Sequence, residues 1–411
     1  MYGPMARFAS LLLLLPLSAP ALAARIYDVL YDVNVVPARQ GAEVTLVLKQ
    51  PRDYVRELDF SIDPSRHEGF AGDGTVEVDG EHVRWQPPEK GGKLRWFTKL
   101  ESTRGEGAWD GLVTNVWAVF RGDDLVPAAT VRKLKGARSQ SLLKLRLPKG
   151  WSSVTPYARN DDGTYAVVHE DRGFDRPTGW MALGQLGVLW GTVGSTRLAV
   201  AGPVGTGLRH QDILAFLRWT LPSMRAVFPK FTSRLLIVGA GDPMWRGGLS
   251  GPASVFLHAD RPLISENGTS TLLHELGHVA LGVRAERGSD WIVEGFAELY
   301  SLEVLHRSGA ISDRHYREGF EKNAVWGKDV KDLFVRNSTG AVTARAVVVL
   351  KALDDELRAS SGGKDSLDDL ARQLAGSGTV SYDDLRARAE RLAGSPVKAL
   401  APANVPGAPR K

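Results

Sequence analysis

Thr271-Leu272-Leu273-His274-Glu275-Leu276-Gly277-His278-Val279-Ala280-Leu281, followed after a short loop by Asp290-Trp291-Ile292-Val293-Glu294-Gly295-Phe296-Ala297-Glu298-Leu299-Tyr300, is the stretch on which the reading of this chain turns. Leu272, Leu273, Leu276, Val279 and Leu281 supply the apolar contacts of a buried helix, and Asn267-Gly268-Thr269-Ser270 supply turn and N-cap chemistry ahead of them. A helix is therefore predicted over about 270–282. On it His274 and His278, four apart, share a face and can meet one metal ion. Glu275 stands one position on, where it reaches a water beside the metal rather than the metal, so H-E-x-x-H reads as two ligands and a general base. The plainer alternative is two helix histidines satisfied by backbone or water. The next element weighs against it. Asp290 can cap a second helix, over about 291–307, and Glu294, sixteen positions after His278, falls where a returning helix faces the first. Two imidazoles and one carboxylate leave the fourth position of a tetrahedral zinc open. Glu298, a turn further on the same face, can accept the other ring N–H of a ligand histidine. Trp291, Ile292 and Phe296 around these glutamates argue against a solvated face. One zinc ion held by His274, His278 and Glu294 is the expectation.

Composition narrows the choice of ligands. The 411 residues carry 52 Lys+Arg against 47 Asp+Glu, a formal charge of +5, and no cysteine. Disulfides, Fe–S clusters, thiolate zinc sites and cysteine nucleophiles are excluded together, so a metal must be held by His, Asp or Glu. The small positive surplus is spread along the chain without a basic block, which argues against a nucleic-acid partner. At the start, Arg7 precedes the apolar run Phe8–Leu17, and Ala21-Leu22-Ala23 follows. That is the pattern of a secretory signal over 1–23, and its apolar run is short for a membrane span. Export to the periplasm or beyond is expected, as a monomer with no stable membrane insertion after signal removal. No Walker A loop, G-x-G-x-x-G fingerprint or G-x-S-x-G elbow occurs; Gly247-Gly248-Leu249-Ser250-Gly251 misses the elbow by one position.

Along the chain, residues 24–195 are β-rich: Tyr27–Val33, Val44–Leu48 and Leu142–Leu147 read as strands, punctuated by Gly, Pro and Asp clusters. A sandwich or saddle-shaped domain is expected there. Its seven tryptophans, Trp85, Trp96, Trp109, Trp117, Trp151, Trp180 and Trp190, read as core filler in preference to a ligand platform. Over 196–394 strands at 197–200, 235–238 and 253–257 and a helix around 210–227 give way to helices near 270–282, 291–307, 312–325, 341–359, 365–375 and 381–393. The Pro/Ala-rich end, 395–411, is expected to be disordered. The fold class is α+β.

His274-Glu275-Leu276-Gly277-His278 with Glu294-Gly295-Phe296-Ala297-Glu298 resembles the gluzincin zinc peptidases, in particular the aminopeptidase N-type and glycyl-aminopeptidase-type families. The resemblance is firm over about 245–305. It implies an N-terminal β domain followed by a thermolysin-like catalytic domain with a helical lobe, and a peptide or protein substrate. By the same match His274, His278 and Glu294 are zinc ligands and Glu275 is the base. Gly248, Leu249, Ser250 and Gly251 resemble the glycine-rich segment along which those families extend a peptide; a β-turn leading into a core strand is the equal alternative. The likeness departs in two places. Ser250 stands near the position of a family glutamate that engages a free amino terminus. The helix at Val342–Val347 lacks the family's oxyanion-stabilising tyrosine, and Tyr316, His315 and Arg345 read as surface or packing residues. Two functions follow: a zinc-dependent peptide hydrolase, or a weak or inactive zinc-containing binding protein on that scaffold.

Overall fold

The computed structural model describes residues 25–104, 107–168, 174–266 and 268–409; the signal expected over 1–23 lies outside them. Strict alternation along Arg25–Val36 turns Tyr27, Val29, Tyr31, Val33 and Val35 inward, the two-residue period of a strand with one buried face. This strand pairs antiparallel with Gly41–Lys49 and parallel with Ala137–Arg146 inside a seven-stranded sheet. A four-stranded sheet containing Val55–Ser61 and a five-stranded sheet containing Trp117–Arg121 and Trp180–Gly184 complete this β-rich part. Trp85, Trp96 and Trp180 are buried, as core filler should be, whereas Trp190 is 57% exposed.

The second part is built on the sheet order Leu186–Val193, Thr196–Pro203, Arg234–Ala240, Ser254–His258, Gly248–Gly251. Thr196–Pro203, Arg234–Ala240 and Ser254–His258 run parallel and are almost wholly buried, as expected of strands covered on both faces. The sheet switch falls at Gln185, between Trp180–Gly184 and Leu186–Val193, about ten residues before the boundary expected near 195. Leu186–Val193 is a half-exposed strand and carries the composition of the β-rich part, although its partner is Thr196–Pro203. Trp180 packs on Phe256 at 5.1 Å between ring centroids, joining the two parts through a shared apolar cluster.

Helices follow at Thr271–Leu281, Asp290–Arg307, Asp313–Gly327, Ala341–Ser361, Leu367–Leu374 and Tyr382–Ala393, each end within two residues of the sequence expectation. Among the described residues no helix is long and apolar enough to cross a membrane. The expected disorder beyond Ser395 is corrected by the structure: through Pro409 the chain forms ordered turns, with Val397, Leu400 and Val405 buried in the helical core. Glu356 accepts hydrogen bonds from the Lys398 and Ala399 N–H groups, and Leu400 O accepts one from the Tyr382 hydroxyl. Proline and alanine suggest disorder only when their neighbours have no core to enter, and here three spaced aliphatic residues do.

Leu400→Ala is accordingly expected to lower the unfolding free energy by about 2–4 kcal/mol in urea titration, since it opens a cavity in a packed core. A tail outside the fold would give a change below about 0.5 kcal/mol.

Candidate metal centre

Local sequence sets the two helices that carry the site. Ser270 caps the first, its hydroxyl accepting from Leu273 N, and Gly282 ends it in the left-handed region at φ 59. The second begins at Asp290 with Ser289 as its N-cap, so Asp290 lies inside the first turn and its carboxylate accepts Ser338 N–H at 2.6 Å. The helices approach closely at Gly277, where a Cβ would lie 2.9 Å from Ala297 Cα. A larger residue there would push the helices apart.

That approach sets the histidines of one helix against the glutamates of the other. His274 Nε2 is 3.2 Å from His278 Nε2 and 3.3 Å from Glu294 Oε2, and His278 Nε2 is 3.4 Å from Glu294 Oε1. A tetrahedron with metal–ligand distances of about 2.0–2.1 Å has edges of about 3.3–3.4 Å. The two imidazole nitrogens are close to that edge length from one another, and each is close to it from a different Glu294 oxygen. With one ligand atom taken from each residue, all three lie within 4.8 Å of one another, the His-His-Glu cluster among the described residues able to share a metal. Glu298 Oε2 lies 3.0 Å from His274 Nδ1, which directs Nε2 at the cluster. Burial alone would lower the His274 pKa, but the carboxylates of Glu294 and Glu298 raise it to about 10. Burial would likewise raise Glu294, yet the hydrogen bonds and charge of His274 and His278 hold it at about 2. The arrangement surrounds a position that favours positive charge.

Glu275 is buried one position along, and the strand Gly248–Gly251 lies against it. A Cβ on Gly248 would come within 2.8 Å of Glu275 Cγ and 2.7 Å of Thr271 Cγ2, so only glycine lets the strand pass this close to that carboxylate. Gly248–Gly251 is the edge strand; Ser254–His258, which it pairs with antiparallel, is the buried one beside it. The outer backbone edge of Gly248, Leu249, Ser250 and Gly251 has no strand partner among the described residues. A cleft of about 680 Å³ runs between this edge and the two helices and includes His274, Glu275, His278, Glu294 and Glu298 in its lining.

The cleft also holds residues that sequence reasoning missed. Arg121, from the β-rich part, stacks over Trp180 at 4.9 Å and reaches Ser250 O at 3.5 Å. Nothing near Arg121 in sequence points to this, because sheet packing brings it in from far along the chain. Ser338 is 3% exposed, lines the cleft, and its hydroxyl has no partner among the described residues. Its place in Ser338-Thr339-Gly340, just ahead of the helix Ala341–Ser361, is the signal that could have found it. Tyr316, His315 and Arg345 are absent from the lining; the Tyr316 hydroxyl is engaged by Glu303 and its ring stacks on His306 at 4.1 Å.

No family profile matches the chain, and no curated protein matches it. Solved structures do. The fold is similar to the crystal structure of an aminopeptidase N family protein from Idiomarina loihiensis, with a TM-score of 0.61 and 15% identity over 84% of this chain and 69% of that one. At that identity the likeness speaks for the fold alone.

A pH dependence follows for the chelator-treated protein. His274, raised from 6.5 to about 10, adds stability that is full below about pH 6.5 and fades as pH climbs toward 10. Glu294, lowered from 4.5 to about 2, adds stability that is full above about pH 4.5 and fades as pH falls toward 2. In urea unfolding, the stability advantage over His274→Ala is expected to be larger at pH 6 than at pH 9. An advantage independent of pH would contradict the pairing.

Proposed function

We propose that the chain is an exported zinc-dependent metallopeptidase, with His274, His278 and Glu294 as the ligands of one zinc ion and Glu275 as general base. The observation that carries this reading is the cluster of two imidazole nitrogens 3.2 Å apart, each 3.3–3.4 Å from an oxygen of Glu294, with Glu275 beside it. A nitrogen and carboxylate donor set without thiolate suits zinc in a hydrolytic site. Bound there, zinc would supply Lewis acidity, polarising a carbonyl oxygen and lowering the pKa of water.

The protein's own groups do the rest. Glu298 holds His274 by Nδ1, so Nε2 is free to bind. Glu275 accepts the proton of the attacking water and returns it to the departing amine. The unpaired edge of Gly248, Leu249, Ser250 and Gly251 can take an extended peptide by backbone hydrogen bonds, aligning a scissile bond with Glu275. The substrate is a peptide or protein, acted on by a monomer in the periplasm or outside the cell, and no nucleic acid is involved.

A second reading, a zinc-containing binding protein of little or no activity, is favoured by one observation: the Tyr316 hydroxyl is engaged by Glu303 and lies outside the cleft. Absence of one oxyanion donor lowers rates on the order of a hundredfold or more. The retained Glu275, which a structural zinc site does not need, favours the enzyme.

Peptide hydrolysis by the zinc-loaded protein and by Glu275→Gln separates the two. Glu275→Gln is expected to keep its zinc and lose about 10²–10⁴-fold in kcat. Bound zinc with no hydrolysis of a peptide library by either protein would leave the binding reading.

Glu298→Gln should weaken zinc binding about 10–100-fold in chelator competition, because the amide is a poorer acceptor for the His274 ring N–H. An unchanged affinity would remove Glu298 from the site.

A further inference from the structure

A second concavity, of about 720 Å³, shares no lining residue with the metal cleft. Four arginines converge in it. Arg159 comes from the β-rich part, Arg197 and Arg234 from adjacent strands of the second sheet, and Arg218 from the helix His210–Val227. Arg197 and Arg234 are register partners across the parallel pair, and like charges set opposite one another on neighbouring strands repel. None of the four has a carboxylate partner among the described residues. Arg234 is half-buried; it donates to Tyr157 O at 3.3 Å, while its Nε is buried with no partner. Burial, with the charge of Arg197 added, pushes its pKa below the ordinary value. Trp190, on the strand at the rim, leaves 57% of its surface in water. An indole face and unneutralised guanidinium groups thus share one concavity.

We infer that this groove binds a phosphate-bearing small molecule, with its phosphates among Arg159, Arg197, Arg218 and Arg234 and its ring against Trp190. Guanidinium presents paired N–H donors that match phosphate oxygens, and a multivalent anion relieves the repulsion between Arg197 and Arg234. The volume lies within the range of small-ligand clefts, about 300–1,000 Å³. That all four arginines line one concavity of small-molecule volume favours a compact ligand over an acidic polypeptide. The inference is independent of the peptidase reading.

The test is calorimetric titration of the purified protein at fixed, near-physiological ionic strength with inorganic pyrophosphate, ADP and hexa-aspartate. ADP and pyrophosphate are expected to bind one per chain, ADP the more tightly. Arg197→Gln combined with Arg234→Gln should weaken both by about tenfold or more, since two charge-assisted phosphate contacts are lost. Arg218→Gln, an exposed helix position that cannot compromise the core, should weaken both severalfold. Trp190→Ala should bring ADP down to the affinity of pyrophosphate and leave pyrophosphate unchanged. Thermal melting of each variant checks its fold, and pyrophosphate binding at the metal cleft would be insensitive to all of them. The inference is overturned if neither phosphate binds, if binding survives both arginine variants, if Trp190→Ala leaves ADP unaffected, or if hexa-aspartate binds more tightly than ADP.

Discussion

Two helices meet where Gly277 has no side chain, and the rest of the centre depends on that approach. With Ala297 Cα filling the space of a missing Cβ, His274 and His278 face Glu294 and Glu298 across one short gap. Four polar side chains, mostly withdrawn from water, then satisfy one another only by sharing positive charge, whether proton or metal. The apolar faces of both helices hold this arrangement in place: Leu272, Leu273, Leu276, Trp291, Ile292 and Phe296 are all buried in the same core. Gly295 repeats the device on the opposite side, where a Cβ would meet Ala346 Cβ at 2.8 Å, so the helix carrying Glu294 is clamped between two neighbours. Rigid packing of this kind keeps His274, His278 and Glu294 together in one cluster.

The sheet meets this pair of helices through another glycine. Gly248 lets the edge strand lie against Glu275, which brings an unpaired backbone edge to a carboxylate not hydrogen-bonded to either histidine ring. Arg121 reaches the same strand from the β-rich part, held by its stacking on Trp180. The cleft is therefore shaped by both parts of the chain.

What could be read from the sequence follows from distance along the chain. His274, Glu275, His278, Glu294 and Glu298 fall within two consecutive helices, so helical periodicity alone sets them on facing surfaces. Strand and helix positions were legible for the same local reason. Gly248–Gly251 remained ambiguous between a turn and an edge strand, because which strand is outermost is decided by tertiary pairing. Arg121, and the meeting of Arg159 with Arg197 and Arg234, left no local trace. The sheet switch at Gln185 was hidden because Leu186–Val193 looks like the strands before it. Beyond Ser395, composition misled: Val397, Leu400 and Val405 are few, yet each finds a place in the core.

The central claim is that two imidazoles and one carboxylate hold a single zinc ion in an open tetrahedral site. X-ray absorption at the zinc edge, on protein purified without chelator, tests it most directly. The expected result is one zinc per chain with four nitrogen or oxygen neighbours at about 2.0–2.1 Å and the outer-shell scattering of two histidine rings. A protein that contains no zinc, or zinc surrounded by oxygen without imidazole scattering, would contradict the account.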